Sequence, residues 1–355
     1  MASPEKLLAR AVAGERLSET EGVQLYYETD LLSLGRAADL IRRRLHPEGY
    51  VTFVIDRNIN YTNVCQSGCL FCAFYRREDD PDAYVLSHDE IMRKIEELVA
   101  QGGTQVLIQG GLHPRLNLAY FTSLFRAIKA RFPVHIHSLS PPEIVHLARL
   151  EGLPVREVLE RLKEAGLDSL PGGGAEILVN RVRRVISPRK ISWQEWAAVM
   201  VTAAKLGLFA SATMMFGTVE TPEERVRHII RIRQIQDQTG GFTAFIPWSY
   251  QPGNTALGGS TPPVVEYLRV LALARVLLDN VPNIQASWVT QGARVGQVAL
   301  AFGANDFGGT MLEENVVRAA GAAYRVPQSE ILRVIRDAGF VPAQRTTDYR
   351  IIRTF

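Results

Sequence analysis

The three cysteines of this chain lie close together, at Cys65, Cys69 and Cys72, with the spacing Cx3Cx2C. Three thiolates on one short loop can ligate three irons of a cubane 4Fe–4S cluster. The fourth iron then has no protein ligand and can bind a small molecule, unlike the closed four-cysteine pattern of electron carriers. The spacing therefore predicts an open iron–sulfur site on a single loop.

A zinc site, or three buried thiols, is the alternative interpretation of the same cysteines. Structural zinc sites usually combine a CxxC pair with a second pair, or with a histidine at a regular distance. The nearest downstream histidines, His88 and His113, fit no such spacing. The pattern favours the open cluster and leaves a non-catalytic zinc or iron–sulfur module as a rival hypothesis, which metal analysis would decide.

Composition narrows the class of protein. The 355 residues suit one αβ barrel with extensions, and a hydrophobic content of 46% is enough for a sizeable core. The net charge is only +3, so no nucleic-acid partner is indicated. No apolar run is long enough for a membrane span, and the N-terminus lacks the layout of a signal peptide. Because no cysteine is left over for disulfides, we expect a cytoplasmic protein.

Strands and helices are predicted to alternate along most of the chain. Apolar residues recur at helical spacing over 4–46, where Ser18 and Glu21 have the pattern of a capping box. The predicted strands, rich in β-branched and aromatic residues, are 51–55, 104–108, 134–137, 166–170, 210–217, 242–246 and 284–288. The predicted helices include 88–100, 117–131, 155–164, 192–206 and 262–279.

This alternation predicts an α/β fold, specifically a TIM-type (β/α) barrel with a parallel sheet. We expect an N-terminal helical cap over 1–48, the barrel over 49–310, and a C-terminal extension over 311–355 that packs on the barrel. The cysteine loop would then lie just past the C-terminal end of the first strand. That is the face at which αβ barrels carry their chemistry.

The cysteine loop resembles that of the radical S-adenosylmethionine (SAM) superfamily, which reads CxxxCxΦC with an aromatic residue at Φ. Phe71 occupies that position. The resemblance implies a 4Fe–4S cluster whose open iron chelates the methionine part of SAM and passes an electron to its sulfonium. It also implies that Phe71 packs near the SAM adenine, and that Gly110 and Gly111 align with a Gly-Gly motif that contacts the SAM amino group.

Two further residues are predicted to bind the cofactor. Glu176 follows three glycines that leave room for a bulky ligand, and its carboxylate could accept hydrogen bonds from a ribose diol. The alternative for Glu176 is an acidic residue favoured at a helix N-terminus. Ser138 directly follows a predicted strand, at a position expected near the mouth of the barrel.

Longer motifs resemble one group within this superfamily. They are Gln109-Gly110-Gly111-Leu112-His113-Pro114 and the stretch GANDFGGTMLEEN at 303–315. The group contains the futalosine-pathway enzymes of menaquinone biosynthesis and the deazaflavin (F0) synthase domains, and the resemblance covers the chain from residue 50 onwards. Two loops, HSLSPPEI at 137–144 and SLPGGGAEIL at 169–178, look most like the branch that cyclises dehypoxanthine futalosine.

The resemblance implies a reaction and its partners. SAM is cleaved to methionine and a 5′-deoxyadenosyl radical, which abstracts a hydrogen from the ribose C4′ of dehypoxanthine futalosine. The carbon radical adds to the benzoate ring, and loss of an electron and a proton restores aromaticity. An external one-electron donor such as flavodoxin or ferredoxin is implied. The nearest alternative is an aminofutalosine synthase or an F0-synthase-like enzyme of the same group, which only a substrate assay separates.

Asp306, His113 and Tyr61 are the predicted catalytic residues. Asp306, in a glycine-rich stretch, is expected to hydrogen-bond substrate hydroxyls, whereas His113 precedes a proline and could instead cap a helix. Other polar candidates near the predicted barrel mouth are His137, Glu313 and Arg57. Arg57 could hold the benzoate, or it could pair with Asp56 or Glu176.

Overall fold

The computed structural model describes residues 2–322 and 324–355. Seven parallel strands form a partial barrel in chain order. They are β2 (Asp56–Asn60), β3 (Gln105–Gln109), β4 (His135–Ser138), β5 (Ser169–Leu170), β6 (Phe209–Phe216), β7 (Phe242–Ser249) and β8 (Asn283–Ile284). This confirms the predicted α/β barrel class, because parallel neighbours in sequential order require crossover helices on the outside.

A second, four-stranded sheet joins the two edges of the partial barrel. It consists of β1 (Tyr50–Val54), β9 (Asp306–Gly309), β10 (Val341–Arg345) and β11 (Ile351–Thr354), in the order β11-β10-β1-β9. β1 runs parallel to both β9 and β10 and continues past Ile55 into β2. A single parallel bridge between Gln285 and Asp306 connects the end of β8 to β9. β9 therefore lies between the two ends of the seven-stranded sheet.

Helices cover the outside of the sheet. Those that follow the strands are α4 (His88–Ala100), α5 (Leu118–Arg131), α6 (Pro141–Glu151), α7 (Val155–Ala165), α8 (Asn180–Ile186), α9 (Trp193–Lys205), α10 (Pro222–Thr239), α11 (Val264–Leu277), α12 (Trp288–Leu300), α13 (Val316–Ala319) and α14 (Gln328–Asp337). Within the described residues, no helix combines the length and the apolar character that crossing a membrane requires.

Three helices precede the barrel: α1 (Pro4–Ala13), α2 (Glu19–Glu28) and α3 (Leu31–Leu45). As predicted, Ser18 and Glu21 form a capping box at the start of α2, which satisfies two backbone donors that the first turn leaves unpaired. α2 packs on α10 and α11, and α3 packs on α11. The N-terminal segment therefore lies against the outer helical layer of the barrel.

The first predicted strand is longer than the sequence suggests. The predicted strand covers 51–55 only, but Asp56–Asn60 is a second strand, β2, which pairs with β3 along its whole length. Four of its five residues are polar: Asp56 and Asn58 face the interior of the barrel, and Arg57 faces α4. A polar interior face does not carry the hydrophobic signature by which strands are recognised.

The last predicted strand, 284–288, is wrong in its second half, because Trp288 begins α12. The strand ends at Ile284, and the backbone N–H of Ser287 donates to the Tyr267 hydroxyl at 2.7 Å instead of to a neighbouring strand. The Trp288 indole N–H donates to the carbonyl of Gly309 at 3.1 Å. The aromatic residue Trp288 made the stretch 284–288 resemble a strand, but its indole is buried against β9 at the start of a helix.

A buried ion pair ties the strands at the lower, N-terminal end of the barrel. Asp306 on β9 receives two bonds from the Arg345 guanidinium on β10, at 2.5 Å from Nε and 3.0 Å from Nη2. The hydroxyl of Thr52, on the strand between them, donates to the same carboxylate at 2.5 Å. The Asp306 side chain is fully buried and that of Arg345 is 5% exposed. Three adjacent strands therefore share one desolvated charge pair.

We expect Asp306→Asn to lower the free energy of unfolding by about 3–5 kcal/mol, because it leaves the Arg345 charge buried without its counter-ion. Urea unfolding of the full chain at matched cluster content measures this. Asp348→Asn is the matched control, since it breaks an exposed pair with Arg350 on the same hairpin and should cost less than about 1 kcal/mol. Equal losses in the two variants would contradict the importance of the buried pair.

Candidate active site

The cysteine loop begins at the C-terminal end of β2 and folds around its own sulfur atoms. The backbone N–H of Ser67 approaches Cys65 Sγ at 3.4 Å, and the Ser67 hydroxyl lies 3.2 Å from Cys69 Sγ. The Cys72 N–H donates to the Cys69 carbonyl at 3.1 Å, and the Cys65 N–H donates to the carbonyl of Arg76 at 3.0 Å. The loop thus folds around Ser67, which lies against the sulfur atoms of Cys65 and Cys69.

The chemistry of these thiols fits a metal cluster. Burial raises the pKa of Cys72 to about 11, and it raises the pKa of Cys69 as well. Without metal, these two side chains are neutral thiols, and binding of iron would release their protons because thiolates are the ligands. The cysteines are free of disulfides. Three free thiols on one loop therefore suit the three protein-bound irons of an open cluster.

The two glycines after β3 seat the cysteine loop. A Cβ on Gly111 would lie 2.1 Å from the carbonyl oxygen of Val64 and 2.9 Å from Cβ of Cys65, so any side chain would displace the loop. A Cβ on Gly110 would lie 2.7 Å from the Tyr61 ring. The Gly110 N–H donates to Glu143 at 3.1 Å. The geometry explains why both positions are glycine, since the backbone of the cysteine loop and the Tyr61 ring pack directly against them. The predicted contact of these glycines with the SAM amino group stays a prediction.

Glu143 is a buried carboxylate that the sequence analysis did not select. It accepts hydrogen bonds from the Tyr61 hydroxyl at 2.9 Å, from the Gly110 N–H, and from the N–H and hydroxyl of Ser140 at 2.7 and 2.5 Å. Burial raises its pKa, and the Ser140 and Tyr61 donors oppose that rise. The Tyr61 hydroxyl is used by this network beneath the cysteine loop, and Tyr61 does not line the interior cavity. Its predicted catalytic role stays a prediction.

Glu176 and Lys190 form a buried pair beside the cysteine loop. Their atoms Oε1 and Nζ are 2.5 Å apart, and Lys190 Nζ lies 5.2 Å from the centre of the Phe71 ring. Burial opposes the charge on Lys190, yet Cys69 and Glu176 raise its pKa above the usual value. The sequence analysis missed Lys190, because it stands in a loop after α8 and only the fold brings it to Glu176 and Phe71.

A cavity of about 270 Å³ occupies the interior of the barrel. Its upper end is lined by Gly173, Gly174 and Glu176, and its lower end by Arg345, Thr347 and Tyr349 from the C-terminal hairpin. Between these ends the walls combine apolar side chains with polar ones, and the polar ones include Asp56, Asn58, Gln105, Gln109, His137 and Thr213. Barrels of this kind usually fill this space with branched apolar side chains, so an open cavity with several polar groups in an otherwise apolar wall indicates a ligand site.

Several predicted residues lie outside this cavity. The Ser138 hydroxyl donates to the carbonyl of Ile108 at 2.7 Å, and His113 Nδ1 accepts the N–H of Arg115 at 3.1 Å in the turn after β3. Asp306 is held by Arg345 as described above. In the structure, Ser138, His113 and Asp306 each use their side chain in a bond within the fold. Their predicted functional roles stay predictions. His137, by contrast, lines the cavity.

The alternatives predicted for Arg57 are corrected by its position. Arg57 pairs with Glu313 at 2.9 Å and with Glu97 at 2.6 Å, on the outer face of β2. The predicted partners Asp56 and Glu176 are both wrong, because Asp56 points to the opposite face of the strand and Glu176 pairs with Lys190. Glu313 is accordingly also engaged outside the cavity, where it additionally binds Lys94 at 2.7 Å.

Two sequence profiles match the chain. The profile of the radical SAM superfamily matches residues 59–232, which include the cysteine loop, both glycines and Lys190. The profile described as the CofH/MqnC C-terminal region matches residues 239–354, which include Asp306 and the hairpin that lines the lower end of the cavity.

Relatives of known activity align with nearly the whole chain. A cyclic dehypoxanthine futalosine synthase of Halalkalibacterium halodurans is 49% identical over 99% of this chain and 96% of its own length. One of Streptomyces coelicolor is 48% identical over 97% of this chain and 88% of its own length. A 5-amino-6-(D-ribitylamino)uracil–L-tyrosine 4-hydroxyphenyl transferase of Methanosarcina mazei is 44% identical over 98% of this chain and 93% of its own length.

Solved structures share the fold. Methylornithine synthase superposes with a TM-score of 0.76 over 95% of this chain and 97% of its own, at 17% sequence identity. At that identity the likeness concerns the fold alone, whereas the profiles and the relatives extend to the sequence. The chain therefore belongs to the radical SAM superfamily and, within it, to the CofH/MqnC family.

Proposed function

We propose that this chain is a radical SAM enzyme that cyclises dehypoxanthine futalosine in menaquinone biosynthesis. The observation that carries the proposal is the 49% identity to a cyclic dehypoxanthine futalosine synthase over nearly the full length of both chains. The transferase relative is less similar, at 44%. The second candidate function is therefore the reaction of that relative, the transfer of a 4-hydroxyphenyl group from L-tyrosine.

The proposed cofactors are a 4Fe–4S cluster and SAM. Cys65, Cys69 and Cys72 would hold three irons of the cluster, and Phe71 would pack near the SAM adenine. When bound, the cluster and SAM together supply a 5′-deoxyadenosyl radical. The chain's own task is to hold the two ligands in contact, to exclude water and to keep the substrate radical next to the ring that it attacks.

Lys190 is the residue that we assign to the methionine carboxylate of SAM. Its ammonium is buried beside the cysteine loop, and Glu176 is its counter-ion at 2.5 Å. A carboxylate that chelates the open iron would bring a second negative charge to the same place. Lys190 would then bind that carboxylate, and Glu176 would be free to accept hydrogen bonds from ribose hydroxyls, as the sequence analysis predicted.

The interior cavity would hold the substrate below SAM. The polar groups in its walls offer amide, hydroxyl and imidazole groups to a ribose and a carboxylate, and the C-terminal hairpin lines its lower end. Because the cysteine loop lies at the upper end of the barrel, SAM bound there would cover the cavity and shield a substrate in it from bulk water. A reactive carbon radical needs that shielding.

We also propose that the external one-electron donor docks at a groove beside the cysteine loop. The groove measures about 410 Å³ and contains Ser67, His146, Arg149 and Arg189. Arg189 Nε donates to the Ser67 carbonyl at 3.2 Å, and Ser67 touches two of the cysteine sulfurs. A donor with an acidic face, such as a flavodoxin or ferredoxin, would therefore approach within one residue of the cluster ligands.

The proposed activity is tested directly by anaerobic reconstitution, reduction, and addition of SAM with dehypoxanthine futalosine. Mass spectrometry should find a product two mass units lighter than the substrate, because the reaction removes two hydrogens. Incubation with 5-amino-6-(D-ribitylamino)uracil and L-tyrosine should give no product. The reverse pattern would assign the chain to the transferase activity, and failure to assemble any cluster would contradict the whole proposal.

Lys190→Gln should weaken SAM binding roughly 10- to 100-fold, because a charge-assisted hydrogen bond contributes about 1.5–3 kcal/mol. Equilibrium dialysis with SAM and the change that SAM produces in the cluster's EPR spectrum measure the loss. Iron content should be unchanged, since Lys190 is not a ligand. Lys205→Gln, at an exposed lysine at the end of α9, is the control and should bind SAM normally. Unaltered SAM affinity in Lys190→Gln would remove this assignment.

Arg189→Glu should raise the KM for reduced flavodoxin by about tenfold, because it places a negative charge where the acidic donor would dock. Turnover with dithionite, which needs no docking, should be unchanged. Arg156→Glu reverses an exposed charge on α7, away from the groove, and serves as the matched control. If both reversals change the KM equally, the donor senses net charge and the groove is not its docking site.

A further inference from the structure

Six titratable side chains line the interior cavity: Asp56, His137, Glu176, Glu314, Arg345 and Tyr349. Three of them are engaged by strong partners. Glu176 pairs with Lys190, Arg345 pairs with Asp306, and Glu314 accepts the backbone N–H groups of residues 316–318 at the start of α13. The Tyr349 ring lies 4.0 Å from the Arg345 guanidinium, and burial raises its pKa, so it cannot accept a proton. Asp56 and His137 remain.

His137 is held as a weak base. Its Nδ1 lies 2.6 Å from the Ser169 hydroxyl, which is also 2.7 Å from Nε2 of His135. Burial, together with the neighbouring His135, lowers the pKa of His137 to about 3. An imidazole in this environment stays neutral and suits hydrogen bonding to a ligand better than taking up a proton.

Asp56, unlike His137, is placed to take up a proton. Its Oδ1 accepts the N–H of Met311 at 2.9 Å, whereas the hydrogen bond to Oδ2 among the described residues is a long one, 3.5 Å from Gln105 Nε2. Gly309 packs so closely that a Cβ there would lie 2.1 Å from Oδ1. Oδ2 therefore keeps acceptor capacity toward the cavity, in a site that fixes the position of the carboxylate.

The surroundings also make Asp56 a stronger base than an ordinary aspartate. Burial raises its pKa to about 6; the Met311 N–H and the Arg345 guanidinium oppose this, and the Asp306 carboxylate adds to it. His137 and Tyr349, across the cavity, are uncharged. A carboxylate with a pKa near 6 is still ionised at neutral pH and is matched to proton transfer there.

We propose that Asp56 accepts the proton that leaves the aromatic ring of the substrate after the new carbon–carbon bond has formed. This inference rests on the proposed function. The ribose carbon radical bonds to a ring carbon, and the unpaired electron passes into the ring. The C–H bond at that ring carbon then breaks: its proton goes to Asp56 Oδ2, and one electron goes to an acceptor of the iron–sulfur class. With the hydrogen atom abstracted first, the substrate loses two hydrogens in all.

The position of Asp56 along β2 agrees with this role. Asp56 is the first residue of the strand and the cysteine loop follows its last residue, Asn60. At about 3.3 Å per residue, the two ends of β2 are roughly 13 Å apart. A ribose close to SAM at the upper end therefore leaves room for the attached ring to extend down the cavity toward Asp56.

Asp56→Asn tests the proposal, because it keeps the acceptor for the Met311 N–H and removes the base. With substrate deuterated at C4′, the variant should still lose deuterium from the substrate, while cyclised product per deuterium lost should fall at least about 100-fold, the usual contribution of a general base. Asp56→Glu should recover part of the product. Glu314→Gln, which alters another carboxylate of the same cavity, should keep the wild-type ratio.

A purely structural role of Asp56 would change the melting temperature or cluster content without changing that ratio, and would overturn the proposal. If Asp56→Asn does not fold, the pH profile of the wild-type protein tests the proposal instead. Product per deuterium lost should rise with pH through about 6, as Asp56 loses its proton; a flat ratio from acid to neutral pH would overturn the proposal. Wild-type protein that fails to convert the substrate at all would instead contradict the proposed function.

Discussion

The interior of this barrel carries polar side chains among its apolar ones, and most of the structure can be understood as the support that these buried polar groups require. Buried polar groups must find partners, or their desolvation costs more than the fold can offset. Asp306 and Arg345 meet this requirement at the lower end, where a bidentate ion pair and the Thr52 hydroxyl leave no charge unpaired. Asp56 sits just above them with one oxygen incompletely used.

The upper end of the barrel is organised by a different kind of contact. Two glycines let the cysteine loop approach the end of β3 more closely than any side chain would permit. Beneath them, Glu143 gathers the Tyr61 hydroxyl, the Gly110 N–H and both donors of Ser140 on one carboxylate. Tyr61 and Gly110, which lie next to the cysteine loop, are thereby held on one buried carboxyl group. This network gives the cluster ligands a fixed position relative to the cavity, which radical chemistry between two bound molecules requires.

The sequence predicted the parts of the site that depend on local pattern. The cysteine spacing, the capping boxes and most of the outer helices follow from residues close together in the chain. The residues that only tertiary contacts bring together were missed. Lys190 meets Glu176 across a loop after α8, and Asp56 fell outside the predicted strand 51–55 because the residues of β2 that face inward are polar. Asp306 was selected because it stands among glycines, and nothing local indicated that Arg345, 39 residues away, would occupy its carboxylate.

The central claim is that the cavity holds the substrate ribose against the 5′ carbon of SAM. Deuterium transfer tests it most directly: substrate deuterated at the ribose C4′ is incubated with reduced enzyme and SAM, and the 5′-deoxyadenosyl group is analysed by mass spectrometry. The account predicts that deuterium moves from the substrate to the 5′ carbon. Recovery of unlabelled 5′-deoxyadenosine with all deuterium retained in the product would show that the hydrogen comes from elsewhere, and would contradict this placement of the substrate.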